Sequence, residues 1–277
     1  MTTMVGLETL ADGILVINLD DRPDRWRDVL DELSPYVDTA RLHRLSAVKG
    51  TTLEGFGERP LFGGRSRDRT WAGRAGCALS HREAIAYAAR QGWHSVLILE
   101  DDIQIRDGLS DVCANLARAL EQCAWDFCYL GFTDPVGPFR LVRSLDSKHS
   151  LFRVYGCNTA HAYLVRDSVF DELLKRMPTR EKVWGWIARN RAVDRWYMRS
   201  FSRNSCVLVV SPSVIGQKQG FSDITGRNQE FAHLTQVPGR ARSMFPYGFW
   251  HGLRHLRFMI TNSYDAVRGA FKLWKGF

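Results

Sequence analysis

The chain has 277 residues, of which 45% are hydrophobic and 25% are charged. A chain of this length and composition can bury a full hydrophobic core, which excludes a disordered or fibrous protein. The formal net charge of +8 favours an anionic partner, and charge alone leaves open a nucleic acid, a nucleoside diphosphate or an acidic membrane surface.

The sequence predicts neither secretion nor a membrane span. Residues 1–13 lack the basic and apolar regions of a signal peptide, and no run of about 18 apolar residues occurs. The six cysteines form no CxxC pair and do not predict a zinc site. We therefore expect a cytoplasmic protein whose thiols are mostly buried and reduced.

Strand and helix patterns alternate from the start of the chain. The apolar run 14–19 predicts a buried strand, and residues 20–33 predict a helix with Pro23 in its first turn. A second strand is expected within 40–48. The Gly- and Arg-rich stretch 50–76 then has the composition of a long loop.

The alternation continues through the rest of the chain. A helix is predicted over 76–92, with Gly92 at its end, and an apolar strand over 95–99 follows at once. Regular alternation of this kind favours an α/β fold with an open, mainly parallel sheet flanked by helices. Further elements are expected over 109–123, 125–131, 161–177, 192–201 and 206–217.

Three consecutive acids follow the strand 95–99, and adjacent carboxylates repel one another unless a cation lies among them. Strand side chains alternate between faces, so Glu100 and Asp102 should point to one side and Asp101 to the other. Two oxygen ligands suit Mn²⁺ or Mg²⁺ held jointly with substrate phosphates. The alternative interpretation is a solvated acidic turn or a helix cap.

Polar residues also follow the first strand. Asn18, Asp21, Arg22 and Arg25 lie at its carboxyl end and in the first turn of the next helix, where amides and guanidiniums can contact a base and phosphates. An ordinary charged helix start is the alternative. The sequence contains neither GxxxxGK[ST] nor GxGxxG, so a nucleotide would be bound without these motifs.

Five stretches resemble glycosyltransferase family 25, the family of bacterial lipooligosaccharide galactosyltransferases and collagen galactosyltransferase domains. They occur in the order and at about the intervals seen in that family, and the similarity covers roughly residues 13–227. The stretches are VINLDDRPDRW, GCALSHREAI, LILEDDI, NTAHAYLV and SPSVIGQKQGFSDI.

The resemblance implies a GT-A fold, a UDP-sugar donor that is most commonly UDP-galactose, a divalent metal and inversion at the anomeric carbon. Its metal and diphosphate motif corresponds to Glu100, Asp101 and Asp102, although many GT-A enzymes have Asp where this chain has Glu100. We expect a GT-A domain over 1–235 and a separate basic tail over 236–277.

The resemblance also suggests site residues. Inversion needs a carboxylate to take the proton of the acceptor hydroxyl, and Asp194 corresponds to an Asp of the family. A helix salt bridge to Arg191 or Arg195 is the alternative. His161, where the family also has His, is a candidate third metal ligand or sugar contact, or else a hydrogen-bonded core residue.

Ser80 and His81 look like a nucleophile and a base, but adjacent helix residues diverge by about 100°, which argues against a hydrolase dyad. The resemblance makes them donor-pocket or structural residues. Gln217 and Asp223 correspond to positions on the closing side of the family's site, with no assigned role.

The tail has an apolar helical face that steps by three or four residues from Trp250 to Trp274, with basic residues along one side. Such a helix is typical of an interfacial membrane anchor. A helix packed on the domain with solvated arginines is the alternative.

Taken together, these patterns predict an inverting, metal-dependent galactosyltransferase acting on a bacterial lipooligosaccharide or other surface glycan. We expect it at the inner face of the inner membrane, where a basic surface suits an anionic acceptor and leaflet. One alternative is a metal-dependent phosphoesterase or nuclease, which needs further converging acids. A non-catalytic nucleic-acid-binding module, suggested by the Arg-rich loop, is the other.

Overall fold

The computed structural model describes residues 6–218, 220–222, 227–229, 235–238 and 246–277. Its centre is an eight-stranded sheet with the order β2-β1-β3-β8-β5-β9-β7-β6. These strands are β1 Gly13–Asn18, β2 Leu42–Ser46, β3 Ser95–Glu100, β5 Phe127–Val136, β6 Arg140–Ser144, β7 Ser150–Val154, β8 Gly156–Arg166 and β9 Val207–Ser211.

Two small antiparallel pairs stand apart from this sheet: β4 Ile103–Ile105 with β10 Ile215–Gln217, and β11 Gly220–Ser222 with β12 Arg227–Gln229. The helices are α1 Pro23–Leu33, α2 Asp68–Arg90, α3 Leu109–Glu121, α4 Phe170–Arg176, α5 Val183–Asn190, α6 Val193–Trp196 and α7 Tyr247–Lys275. A π-helical turn, Tyr197–Phe201, continues α6.

The sheet is mixed. Within the described part of the chain, six of its eight strands run in one direction, and β7 and β8 run in the opposite one. The expected α/β architecture with flanking helices is confirmed, and most strands share a direction as predicted. The sequence pattern did not reveal that β8 lies between β3 and β5 and is antiparallel to both.

Both faces of the sheet are covered, which explains why all six residues of β1 are buried. Leu15 and Ile17 pack into the core beneath α2, α4 and α5. Ile14 and Val16 point the other way, into the core beneath α1 and α3. The strand is therefore fixed from both sides, and its polar carboxyl end has a defined position.

The predicted loop over 50–76 is partly wrong, because α2 begins at Asp68. Gly73 and Gly76 lower helix propensity, but Ala72, Ala75 and Gly76 are buried. A Cβ on Gly76 would lie 2.2 Å from the Val48 carbonyl oxygen. Tertiary packing therefore determines the helix start, and glycine permits the close approach.

The C-terminal helix α7 packs on the domain. Asp265 is buried and forms ion pairs with Arg195 at 2.6 Å, Arg199 at 3.2 Å and Arg191 at 3.5 Å. No helix among the described residues has the length and apolar character needed to cross a membrane.

The cysteines of the described structure are all free, and Cys113, Cys128 and Cys157 are buried while the other three are partly exposed. The six thiols therefore form no disulfide in the described structure, and three of them are buried, which is fewer than the expected majority.

Replacing Gly76 with Ala should destabilise the fold, because the new methyl group would meet the rigid backbone of residues 48–50. We expect a loss of about 1–3 kcal/mol in the free energy of unfolding. The matched control is Gly185→Ala in α5, where a Cβ meets nothing within 4 Å and higher helix propensity should stabilise by up to about 1 kcal/mol. Urea unfolding of both variants measures the difference, and equal values would contradict this packing account.

Candidate functional site

A cleft of about 280 Å³ lies at the carboxyl ends of β1, β2 and β3. These strands are adjacent and parallel, and ligands of open α/β sheets bind at this edge. The residues predicted from sequence that line the cleft are Asp21, Arg22, Arg25, Ser80, His81, Glu100, Asp101 and Asp102.

Glu100 and Asp102 form a pair, as strand alternation predicts. Gln217 Nε2 lies 3.5 Å from Glu100 Oε2 and 3.3 and 3.4 Å from the two Asp102 carboxylate oxygens. Gln217 reaches this position because β10 pairs with β4, which follows the acids directly. The Gln217 amide NH₂ therefore faces both carboxylates at one point.

Asp101 points away from this pair and is neutralised. Its Oδ1 accepts a hydrogen bond from Arg25 Nη1 at 2.9 Å, and its Oδ2 accepts one from Asn18 Nδ2 at 2.8 Å. Asn18 is fully buried, and its Oδ1 accepts from Arg44 Nε at 2.9 Å. Asp101 and Asn18 thus orient Arg25 at the wall of the cleft.

The paired acids divide their charge unequally. Burial and the neighbouring charges of Glu100 and Asp101 raise the pKa of Asp102 to about 7. Burial alone would also raise the pKa of Glu100, but the hydrogen bond and charge of His81, with the charge of Arg25, hold it below its usual value. Without a cation, the pair therefore favours one negative charge, located on Glu100.

His81 contacts the Glu100 carboxylate from the buried side of the site. Its Nε2 lies 3.2 Å from Glu100 Oε1, and its Nδ1 lies 3.0 Å from the hydroxyl of Tyr163. Tyr163 in turn contacts the Tyr197 hydroxyl at 3.3 Å. The His81 ring is buried, so this polar chain fixes the position of the Glu100 carboxylate from inside the core.

Ser80 has a structural contact instead of a nucleophile's environment. Its hydroxyl donates to the Gly76 carbonyl at 2.8 Å and accepts from Val48 N–H at 2.8 Å. Within the described structure, Ser80 and His81 have separate hydrogen-bond partners.

Cys77 precedes His81 by one helical turn and was missed by the sequence analysis. A ligand atom from each of Cys77, His81 and Glu100 lies within 4.8 Å of the others. Burial and nearby acids raise the pKa of the Cys77 thiol well above its usual value, so the thiolate that binds metals is disfavoured. The i, i+4 spacing on α2 was the available signal.

His161 lies on β8, outside the cleft lining. Its Nε2 is 3.3 Å from the Ile215 carbonyl oxygen, and its Nδ1 is 3.1 Å from the Thr159 hydroxyl. Because a carbonyl only accepts, Nε2 carries the proton and Nδ1 accepts from Thr159. Burial lowers the pKa of His161, and the neutral ring holds β10 in place with both nitrogens engaged.

Asp194, on α6, is held by backbone N–H groups. Its Oδ1 accepts from Arg195 N at 2.7 Å, and its Oδ2 accepts from Thr159 N at 3.2 Å. Thr159 has a φ of +63°, an uncommon conformation for a β-branched residue. In the described residues, the side chains of Arg191 and Arg195 pair with Asp265 instead, so the alternative helix salt bridge is not formed.

The charge of Asp194 affects the pKa values of two residues on α2, Arg74 and Cys77. Burial lowers the pKa of the Arg74 guanidinium, and the carboxylate of Asp194 partly offsets that change. Asp194 also contributes to the raised pKa of Cys77, which lines the cleft. Asp194 therefore lies close enough to influence the cleft electrostatically without forming its wall.

The basic wall of the cleft contains residues that the sequence analysis did not select. Lys49 donates to Asp21 Oδ2, and this hydrogen bond is the main cause of the lowered pKa of Asp21. Arg69, from the Arg-rich stretch, also lines the cleft. Lys49 lies just after β2, and Asp21 lies just after β1. Because these strands are adjacent and parallel, their carboxyl ends meet at one edge, and this was the signal that could have placed Lys49 in the cleft. Asp223 lies outside the described residues.

Comparisons with known proteins give no family. No protein-family model matches the chain, and no curated protein matches it. A solved structure of mannose-1-phosphate geranyltransferase from Thermus thermophilus is similar with a TM-score of 0.36 and 15% identity, over 77% of this chain and 76% of that one. A197 from STIV is similar with a TM-score of 0.37 and 8% identity, over 82% of this chain and 97% of that one. TM-scores this low carry no argument about function.

Asp102→Asn should stabilise the metal-free protein at high pH. An unfolded Asp has a pKa of about 3.9, whereas Asp102 has one of about 7 in the folded state. The folded protein therefore binds the extra proton between these values, and its free energy of unfolding falls as pH rises from about 4 to about 7. Relative to wild type, the free energy of unfolding of the Asn variant should rise by on the order of 4 kcal/mol at about pH 8 and by almost nothing at about pH 4.

Thermal unfolding in the presence of a chelator measures this difference across the pH range. Asp111→Asn, at an exposed acid of α3, is the matched control. If the stability of wild type and that of Asp102→Asn change with pH in the same way between about pH 4 and 7, the pKa of Asp102 is not raised in the folded protein.

Proposed function

We propose that this protein is an inverting, metal-dependent glycosyltransferase of the family 25 type, working in the cytoplasm. It would transfer a sugar, most simply galactose, from a UDP-sugar to a hydroxyl of a bacterial lipooligosaccharide or other surface glycan. The observation that carries the proposal is the convergence of Glu100 and Asp102 on Gln217 beside a basic cleft. The resemblance of the five sequence stretches supports the same reading.

The residues at this point fit a hard divalent cation. The two carboxylates supply oxygen ligands, which suit Mn²⁺ or Mg²⁺, while Gln217 directs its Nε2 amide donor at both of them. Burial and the neighbouring charges of Glu100 and Asp101 raise the pKa of Asp102, and a bound cation would favour its charged form. Glu100 and Asp102 would hold the ion. When bound, the ion would stabilise charge on the departing diphosphate.

The basic wall has a matching role. Arg25, Lys49 and Arg69 line the same cleft as the acids, so they can contact diphosphate oxygens with charge-assisted hydrogen bonds. Asp101 fixes Arg25 at 2.9 Å, which limits the entropy lost when a ligand binds. Asp21 and Arg22, which line the cleft, would contribute to the nucleoside side of the pocket, whereas buried Asn18 would act through its hydrogen bond to Asp101.

Asp194 is the candidate base in this proposal. The two backbone N–H groups that donate to it fix the direction of its carboxylate. A carboxylate held in this way can accept the proton of an acceptor hydroxyl as the new bond to the sugar forms. His161 is assigned to positioning of β10, since both of its ring nitrogens have partners.

The rival functions have less support from the described residues. A two-metal nuclease would need a further free carboxylate near the pair, and Asp101 is already neutralised by Arg25. A nucleic-acid-binding module leaves the convergence of Glu100 and Asp102 unexplained, because bare carboxylates repel phosphates.

Thermal unfolding with a panel of UDP-sugars, with and without Mn²⁺, tests the donor and the metal. We expect UDP-galactose and Mn²⁺ together to raise the melting temperature by about 5 °C, because a saturating ligand stabilises only the native state. Asp102→Asn should lose this shift, and the control Asp111→Asn should keep it. A panel without any shift would rule out a functional UDP-sugar site.

Asp194→Asn tests the base. Transfer to oligosaccharide acceptors should fall by at least about 100-fold, because a general base contributes this much, while UDP binding stays near the wild-type value. Asp111→Asn again serves as the control. A loss of UDP binding in Asp194→Asn would instead make Asp194 a donor-site or structural residue.

A further inference from the structure

Helix α7 presents its apolar face to solvent. Nine large apolar or aromatic residues form this face; we call them the outward row, and each residue is between 40% and 73% exposed. Apart from the adjacent pair Phe249 and Trp250, they follow one another at intervals of three or four positions and so share one side of the helix. The outward row consists of Phe249, Trp250, Leu253, Leu256, Ile260, Tyr264, Val267, Phe271 and Trp274.

The opposite side of α7 attaches the helix to the domain through small and polar residues. Phe258, Asp265 and Gly269 are buried. A Cβ on Gly269 would lie 2.8 Å from Arg189 Cγ and 3.0 Å from the Ala188 carbonyl oxygen. The helix cannot rotate its apolar face inward without separating Asp265 from three arginines and opening this close contact.

This arrangement reverses the usual orientation of a surface helix, whose apolar side faces the core. The sequence analysis weighed a membrane anchor against a helix packed on the domain. The structure shows the packing, but the packed face is not the apolar one. The outward row therefore needs another explanation.

The charges of α7 are one-sided. Arg257, Arg268 and Lys275 are exposed and lie along one edge of the outward row, at spacings of 11 and 7 residues that return to the same side of a helix. Asp265 is the single acid of the helix, and it is buried against the arginines of the domain. The solvent-facing surface of α7 is thus apolar and cationic.

We propose that the outward row and its basic edge dock α7 on the surface of a lipid bilayer with anionic headgroups. The helix would lie in the plane of the interface, with the row among the acyl chains and the basic edge among the headgroups. Trp250, Tyr264 and Trp274 suit this boundary, since their rings are apolar with one polar atom. The charge of the edge favours an anionic leaflet over a neutral one.

The docked helix also reaches the wall of the cleft. Phe277, just beyond α7, stacks on Trp71 at 4.8 Å, and Lys272 Nζ lies 3.7 Å from the same ring. Trp71 belongs to the part of α2 in which Arg69 and Gly73 line the cleft. If the proposed transferase function holds, docking would bring the cleft close to a lipid-linked acceptor; the docking itself does not depend on that function.

Flotation of the full chain with vesicles tests the proposal. We expect binding to mixed phosphatidylcholine and phosphatidylglycerol vesicles and much weaker binding to phosphatidylcholine alone. Val267→Glu should lower the partition coefficient by about ten-fold or more. The matched control is Ala266→Glu, which places the same charge on the adjacent exposed residue, outside the row, and should bind almost as wild type does.

The basic edge is tested by a second pair of variants. Arg257→Gln combined with Arg268→Gln should weaken binding by about five-fold for each charge removed, whereas Lys at both positions should preserve it. All of these positions are exposed, so the melting temperature should not change.

Two results would overturn the proposal. One is equal binding by Val267→Glu and Ala266→Glu, or binding that ignores anionic lipid. The other is a dimer in sedimentation that Val267→Glu dissociates, without vesicle binding, which would make a second copy the occupant. Neither assay contains a nucleotide sugar, so this proposal and the transferase function can fail separately.

Discussion

The site depends on the repulsion among three consecutive carboxylates at the end of β3. Strand geometry turns Asp101 to one side, where Arg25 and Asn18 neutralise it. Glu100 and Asp102 remain on the other side, where burial and the neighbouring charges raise the pKa of Asp102 to about 7, so that holding both charges at neutral pH costs free energy. His81 offsets part of that cost from the core, and the rest must be offset by a proton or a cation in the cleft.

A second set of contacts links this pair to the candidate base. Thr159 gives its N–H to Asp194 and its hydroxyl to His161. His161 in turn donates to Ile215 of β10, the short strand that carries Gln217 to the acids. Thr159, whose backbone conformation is unusual, therefore fixes both Asp194 and the strand beside Glu100 and Asp102, which is a structural reason for the strain at that position.

Features governed by local chain geometry could be predicted from sequence. The buried strands before Asn18 and Glu100, and the separation of Asp101 from its neighbours, follow from apolar runs and the two-residue period. Features governed by tertiary contacts could not. The insertion of β8 between β3 and β5, the start of α2 at Asp68 and the partners of His161 depend on residues far apart in the chain. The outward orientation of α7 depends on Asp265 and its arginines, which no helical pattern reveals.

The most direct test of the account is a crystal structure of the protein with UDP and Mn²⁺, using the anomalous signal of manganese to locate the ion. The account predicts a peak bound by Glu100 and Asp102, with the diphosphate of UDP beside it and Arg25 at the cleft wall. A nucleotide bound elsewhere, or manganese bound away from these two carboxylates, would contradict it.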